Sequence, residues 1–290
     1  MIDHPNTNIN QQTLEHPLMI NGVGLHSGVN VSMKLIPGQA DYGIKFVRTD
    51  LNQNNLIDAI WSNVSNTQLS TTISNSFGVS VSTVEHLMSA LSGLHIDNLK
   101  IEIDGPEVPI MDGSSKNFVE LIDKTPLKTF NKKRKTIKIK KKIKVQKDDS
   151  SIELSPNSQF SIDFQIDFPS PLISKQSCQL QLVNGNYKTD IASARTFGFE
   201  KDVDQLRSIG LALGGSLKNA VVVGDTKILN IEGLRFKDEF VRHKILDSIG
   251  DLYLAGAPIQ GYFNGNKSGH YLNNLLLKTL FSDTENYEYI

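Results

Sequence analysis

Residues 235–255 read RFKDEFVRHKILDSIGDLYLA, and the rest of the chain is organised around them. Asp238 and Glu239 carry the charge preferred at a helix N-terminus, and Gly256, Ala257 and Pro258 form a stop signal. The interval between predicts a helix. Within it His243, Asp247 and Asp251 recur at i, i+4 and i+8, which at about 100° per residue places all three on one stripe. Val241, Ile245, Ile249 and Leu252 form a separate apolar stripe. An imidazole and two carboxylates facing one space invite a metal or proton-transfer site. The plainer alternative is a surface helix with a histidine on its polar face, since His-x3-Asp is weak beside a zinc signature such as H-E-x-x-H. Any further ligand has to come from elsewhere in the chain.

A chain of 290 residues has room for one large or two medium domains, each with its own core. Its 30 basic residues balance 31 acidic ones, so no overall field favours nucleic acid or a membrane surface. Cys178 is the one cysteine and cannot form an intrachain disulfide, which fits a reducing compartment. The first 20 residues lack a basic segment followed by an apolar run, and no stretch approaches the ~18 apolar residues of a membrane span. The protein is therefore expected to be soluble and cytoplasmic. Residues 132–147, KKRKTIKIKKKIKVQK, hold ten basic residues and no acid. A nucleic-acid or anionic-membrane patch is the sharp interpretation. Ile137, Ile139, Ile143 and Val145 fall in alternating pairs, however, as in an exposed strand with solvated lysines, and no aromatic offers a base a stacking surface. No nucleic-acid partner is expected.

Residues 1–12 are polar and read as a flexible leader. Residues 19–30 are glycine-rich, with His26 in a turn, and a strand-like alternation follows to Pro37. Ser82-x-x-Glu85 matches a capping box ahead of an apolar helix, which would give Glu85 a purely structural task. The functional alternative is a Glu85-His86 pair at a helix start, the histidine a ligand and the carboxylate a base. Residues 99–103 predict a strand and 116–123 a helix closing a first domain, with the boundary near 125–135. The second half repeats that order, with strands expected over 152–154, 160–168 and 179–183. Gly214-Gly215 is a weak candidate phosphate cradle, and residues 265–270 place Lys267 and His270 in another glycine-rich loop. Together, His86, His243 and Asp247 would make three ligands with an open fourth position, the pattern of a catalytic metal. Glu85 then serves as base, His270 as acid and Asp251 as its orienting carboxylate.

The segments GVGLHSG (22–28), STVEHLMSAL (82–91), PIMDGSS (109–115), ARTFGF (194–199), LGGS (213–216), the central helix and KSGHYLNN (267–274) closely resemble the UDP-3-O-acyl-N-acetylglucosamine deacetylases of lipid A synthesis, over residues 12–280. The resemblance implies an α+β fold of two pseudo-symmetric domains, each a sheet packed on two helices, with the helices sandwiched between the sheets and a small insert in each domain. The domains would span 13–128 and 129–290, the second insert about 193–223. It implies Zn2+ (Fe2+ possible) on His86, His243 and Asp247, with Glu85 as general base and His270, partnered by Asp251, as general acid. Thr196 would hold the oxyanion, with Lys244 nearby, and Phe197 would wall the site. His26, Lys267 and Gly269 would lie near the nucleotide sugar's diphosphate, and Phe168 beside the uracil. Val203, Ala212, Ser216 and Val222 would line a passage for the fatty acyl chain. The expected partner is the small-molecule UDP-sugar substrate with its fatty acyl chain, and the protein is expected to be a monomer with at most peripheral membrane contact. A zinc amidohydrolase with another N-acyl substrate is the alternative. Ser70 stands where some relatives have cysteine, leaving a second, inhibitory metal in doubt.

Overall fold

The structure, a computed structural model, describes residues 10–182 and 185–290. The first half runs β1 (Asn10–Leu14), β2 (Leu18–Val23), β3 (Asn30–Pro37), β4 (Ile44–Arg48), β5 (Leu56–Asp58), β6 (Val64–Asn66), β7 (Thr72–Ser74), β8 (Ser80–Val81), α1 (Glu85–Gly93), β9 (Leu99–Ile103) and α2 (Lys116–Asp123). Strands β10 (Leu127–Lys133) and β11 (Ile137–Ile139) link it to the second half. There follow β12 (Ile143–Lys147), β13 (Ser150–Ser155), β14 (Ser161–Asp167), β15 (Lys175–Gln181), α3 (Asn186–Asp190), β16 (Phe197–Phe199), α4 (Val203–Ser208) and β17 (Val221–Val223). The chain closes with α5 (Glu239–Tyr253), β18 (Ile259–Gln260), β19 (Tyr262–Asn266), α6 (His270–Phe281) and β20 (Tyr287–Tyr289).

Two five-stranded sheets share one topology, β2-β3-β9-β4-β5 and β12-β13-β19-β14-β15. In each, the central strand arrives last, antiparallel to one neighbour and parallel to the other. One helix precedes that strand and one follows it. The inserts also fall at equivalent places, between the fourth strand and the first helix: a small β6-β7-β8 sheet in the first half, α3 to β17 in the second. This is an α+β fold built from a repeated unit. Alternation along the strands sets the inner faces; Ile162, Phe164 and Ile166 are buried on β14 while the residues between them are not. Helices α1 and α5 pack on one another, and α5 and α6 lie on the second sheet. Leu87, Met88 and Leu91 of α1 join Ile245, Leu246 and Ile249 of α5 in one core with Phe46, Ile101 and Phe164.

The crossing of α1 and α5 depends on Gly250. A Cβ there would lie 1.9 Å from the Glu85 carbonyl oxygen, in the backbone of the α1 start. Gly250→Ala must push α1 away, and overpacking of this kind costs about 1–3 kcal/mol. A lower thermal midpoint together with weakened metal binding is the expected result, read by a melt and a metal titration on the same sample. An unchanged affinity would show that the helix spacing is not what holds the ligands.

Helix α5 begins at Glu239, where the acidic start signal placed it, and the Arg235 amide donates to the Glu239 carboxylate in the preceding turn. Several other expectations need correction. Helix α5 is no surface helix: both stripes are buried, the polar one included. Of the leader, residues 10–12 belong to β1, which pairs with β10; residues 1–9 lie outside the described residues. Positions 128 and 129 both sit in β10, so the chain crosses between the halves along a strand. The strand expected over 179–183 is found at Lys175–Gln181, and residue 183 lies outside the described residues. The lysine-rich run is not one ribbon but three strands in three sheets. Its isoleucines and valine turn inward, and Lys132, Lys138 and Lys142 pair with Asp41, Glu288 and Glu153. Among the described residues, no helix is long and apolar enough to cross a membrane.

Candidate functional site

Helix geometry puts His243 and Asp247 one turn apart on α5, and the α1–α5 crossing brings His86 to them. The ligand atoms of the three side chains lie within 4.8 Å of one another, and all three residues are buried. Asp247 Oδ1 sits 3.3 Å from His243 Nε2 and 3.5 Å from His86 Nε2, and it has no hydrogen-bond donor. A buried carboxylate oxygen without a donor, facing two imidazole nitrogens, fits a cation. His243 Nδ1–H donates to the Ala194 carbonyl at 3.1 Å, which fixes the tautomer and leaves Nε2 bare. Burial depresses the His243 pKa to about 3, so the ring is neutral, as a ligand must be. Burial disfavours the Asp247 carboxylate, but the neighbouring His243 and the Lys244 ammonium at 2.9 Å more than offset this and hold its pKa well below the usual carboxylate range. Lys244 in turn is held charged, against burial, by Asp247.

Glu85 lies at the first turn of α1, but no capping box forms. Its Oε2 instead accepts the Thr71 amide at 3.0 Å, and Ser82 Oγ donates to the Pro106 carbonyl. Burial raises the Glu85 pKa to about 6, with His270 and His86 pulling the other way. His270 opens α6, its Nε2 3.9 Å from Glu85 Oε1 and 4.0 Å from Asp247 Oδ2. Its Nδ1 is 2.8 Å from Asp251 Oδ2. Burial opposes the imidazolium, yet Asp251 and then Glu85 outweigh it and raise the pKa to about 9. An acceptor carboxyl and a donor imidazolium thus face one another beside the ligand cluster.

A cavity of about 450 Å³ opens onto this group, lined by Thr196, Phe197, Phe168, Lys244, Lys267, Gly269 and His270, among others. Phe168 and Phe197 meet edge to face at 5.6 Å, and Phe197 stands 6.3 Å from the His243 ring. Lys267, at φ 51°, is held by Asp149 and Asp167 at 3.2 and 3.3 Å. His26 is not in that lining; its Nδ1 lies 3.4 Å from the Ala212 amide and its Nε2 is buried without a partner. Val203, Ala212, Ser216 and Val222 are also outside the lining, on the second insert, and none is fully buried. The Gly214-Gly215 loop holds no phosphate-cradle geometry of its own; Gly214 N–H is spent on the Leu25 carbonyl.

The family model for UDP-3-O-acyl N-acetylglycosamine deacetylase matches residues 11–282. The chain belongs to this deacetylase family. It is 49% identical over 277 residues to the UDP-3-O-acyl-N-acetylglucosamine deacetylase of Syntrophus aciditrophicus (strain SB), covering 96% of this chain and 88% of that one. It is 47% identical over 284 residues to the enzyme of that name from Pasteurella multocida (strain Pm70), and 46% identical over 284 to that of Haemophilus influenzae (strain 86-028NP), covering 97% of this chain and 93% of each relative.

Within this family member, residues without a sequence signal complete the site. Thr71 serves two groups at once, its amide bonded to Glu85 and its hydroxyl donating to Asp251 Oδ1 at 2.5 Å. Asn273 Nδ2 donates to Asp251 Oδ2 at 2.8 Å; its place one turn after His270 could have suggested it. Arg195 and Glu239, both buried, bond through the Arg195 amide at 3.0 Å and Nε at 2.8 Å. That pair clamps the segment carrying Ala194 and Thr196 onto the start of α5.

Proposed function

We propose that this chain hydrolyses the 2-acetamido group of UDP-3-O-acyl-N-acetylglucosamine, giving UDP-3-O-acyl-glucosamine and acetate, the committed step of lipid A synthesis. One observation carries the proposal beyond family membership: a buried carboxyl near pKa 6 and a buried imidazolium near pKa 9, 3.9 Å apart, flank a cluster of two imidazoles and a donorless carboxylate oxygen. His86, His243 and Asp247 would hold zinc, and ferrous iron suits the same donors. When bound, such an ion supplies an activated nucleophile near neutral pH and polarises the acetamide carbonyl.

The chain's own groups handle the protons and the substrate. Ionised Glu85 removes a proton from the attacking water, and the Thr71 amide keeps its other oxygen aligned. As the carbonyl oxygen gains charge, the Thr196 hydroxyl and the Lys244 ammonium stabilise it. His270 Nε2 then gives its proton to the sugar nitrogen as the C–N bond breaks, so that an amine leaves rather than an amide anion. Asp251, fixed by Thr71 and Asn273, holds the ring for that transfer. Phe197 walls the site and Phe168 stands beside the uracil, His26, Lys267 and Gly269 lie near the diphosphate, and the second insert receives the acyl chain.

The test is metal content together with turnover of UDP-3-O-acyl-GlcNAc before and after chelation and return of zinc. About one ion per chain is expected, with activity lost on chelation and restored by zinc. Metal without turnover would keep the centre and reject this substrate in favour of another N-acyl compound. Turnover indifferent to the chelator would reject the centre.

A further inference from the structure

One fully buried carboxylate takes no part in the chemistry above. Glu107 is 0% exposed, and the partners of its carboxylate are amides and a hydroxyl, with no lysine or arginine ion pair among the described residues. An isolated buried carboxylate is costly unless hydrogen bonds compensate it. Its donors come from two separate places. Oε1 accepts the His26 amide at 2.9 Å and the Thr83 hydroxyl at 2.9 Å, while Oε2 accepts the Ser27 amide at 2.7 Å. Thr83 stands two residues ahead of Glu85 at φ 56°, a left-handed conformation unusual for a β-branched residue and sustained only where its surroundings over-determine it. On the other side, Gly24 leaves no room for a side chain, since a Cβ would come within 2.4 Å of Glu107 Oε2.

The turn held this way carries a second load. The His26 carbonyl accepts the Leu213 amide at 3.2 Å and the Leu25 carbonyl accepts the Gly214 amide at 3.0 Å, so the second insert's loop hangs on the same turn.

We infer that Glu107 is a positioning residue for this reaction, binding the His26 turn, the start of α1 and, through the turn, the 212–214 loop into one arrangement. A carboxylate is required because all three donors need acceptors. In Glu107→Gln one oxygen becomes an NH2 group; it takes the Oε2 side, where it meets one donor, the Ser27 amide, rather than two, so the turn loses a bond while the Thr83 bond survives. The inference rests on the deacetylase activity proposed above only for its kinetic readout.

The decisive experiment compares wild type, Glu107→Gln and Thr83→Val in the metal-loaded enzyme. Glu107→Gln is expected to raise KM for UDP-3-O-acyl-GlcNAc by ~10–100-fold, the scale of a lost buried bond to a charged group, with kcat within about threefold and the metal retained. Thr83→Val, which spares the turn and frees the α1 start, is expected to lower kcat with KM little changed. Hydrogen exchange in Glu107→Gln should quicken together at residues 26–27 and 213–214. A merely structural role predicts a loss of kcat that follows the folded fraction, with KM unmoved, and that result would overturn the inference. So would unchanged exchange in a folded Glu107→Gln. The exchange measurement needs no substrate, so it decides the positioning even if wild type fails to turn over this sugar, which would count against the proposed activity alone.

Discussion

Glu85→Gln is expected to lower kcat by about 10²–10⁴-fold while the metal content stays at the wild-type level. The amide side chain fills the same space and can still accept the Thr71 amide, so the local structure has no reason to move. It cannot take a proton. The ligand cluster of His86, His243 and Asp247 is untouched, which separates this loss from the loss that follows when a ligand is removed. Steady-state kinetics with elemental analysis on one preparation make the comparison, and near-wild-type turnover would remove Glu85 from the role of base. The wild-type pH profile carries the same information. A base with a pKa of about 6 is protonated below that value, so activity should fall as pH drops through 6.

His270→Ala should cost a similar factor, about 10²–10⁴ in kcat, for the opposite reason. His270 has a pKa of about 9 and must be protonated to serve the leaving amine, so wild-type activity should also fall as pH rises through 9. The profile is therefore a plateau between two limbs. The alanine variant should keep the acid limb, which belongs to Glu85, and lose the alkaline one. Asp251 retains its bonds from Thr71 and Asn273 in the variant, so the site should remain folded. An alkaline limb near 9 that persists in His270→Ala would transfer that titration to another group and end the assignment.

These residues could be read from the chain to very different degrees. His243, Asp247 and Asp251 share one helical stripe, and one sequence window displays it. The repeat of strands, helix, strand and helix is also legible, because burial imposes a period of two or of 3.6 on each local segment. The capping box failed for a physical reason. Ser82 and Glu85 match the local pattern, but the Thr71 amide offers Glu85 a buried partner, and Thr83 turns left-handed to leave the carboxylate facing it. The lysine run misled in the same way. Its charge pattern is continuous, yet the chain distributes it over three sheets, where Asp41, Glu153 and Glu288 neutralise part of it.

The sequence by itself determined the repeated α+β unit, the helix carrying two ligands and a carboxylate, and the family motifs around Glu85, His86, Thr196 and His270. Only the tertiary structure decided that His86 reaches Asp247, that Thr71 joins Glu85 to Asp251, and that Glu107 holds both the His26 turn and the entry to α1. The difference is one of range. A helical stripe follows from backbone geometry over a few residues, whereas these contacts span from 14 to 180 positions and wait on the packed fold, in which Gly250 lets α5 lie against the backbone of the α1 start.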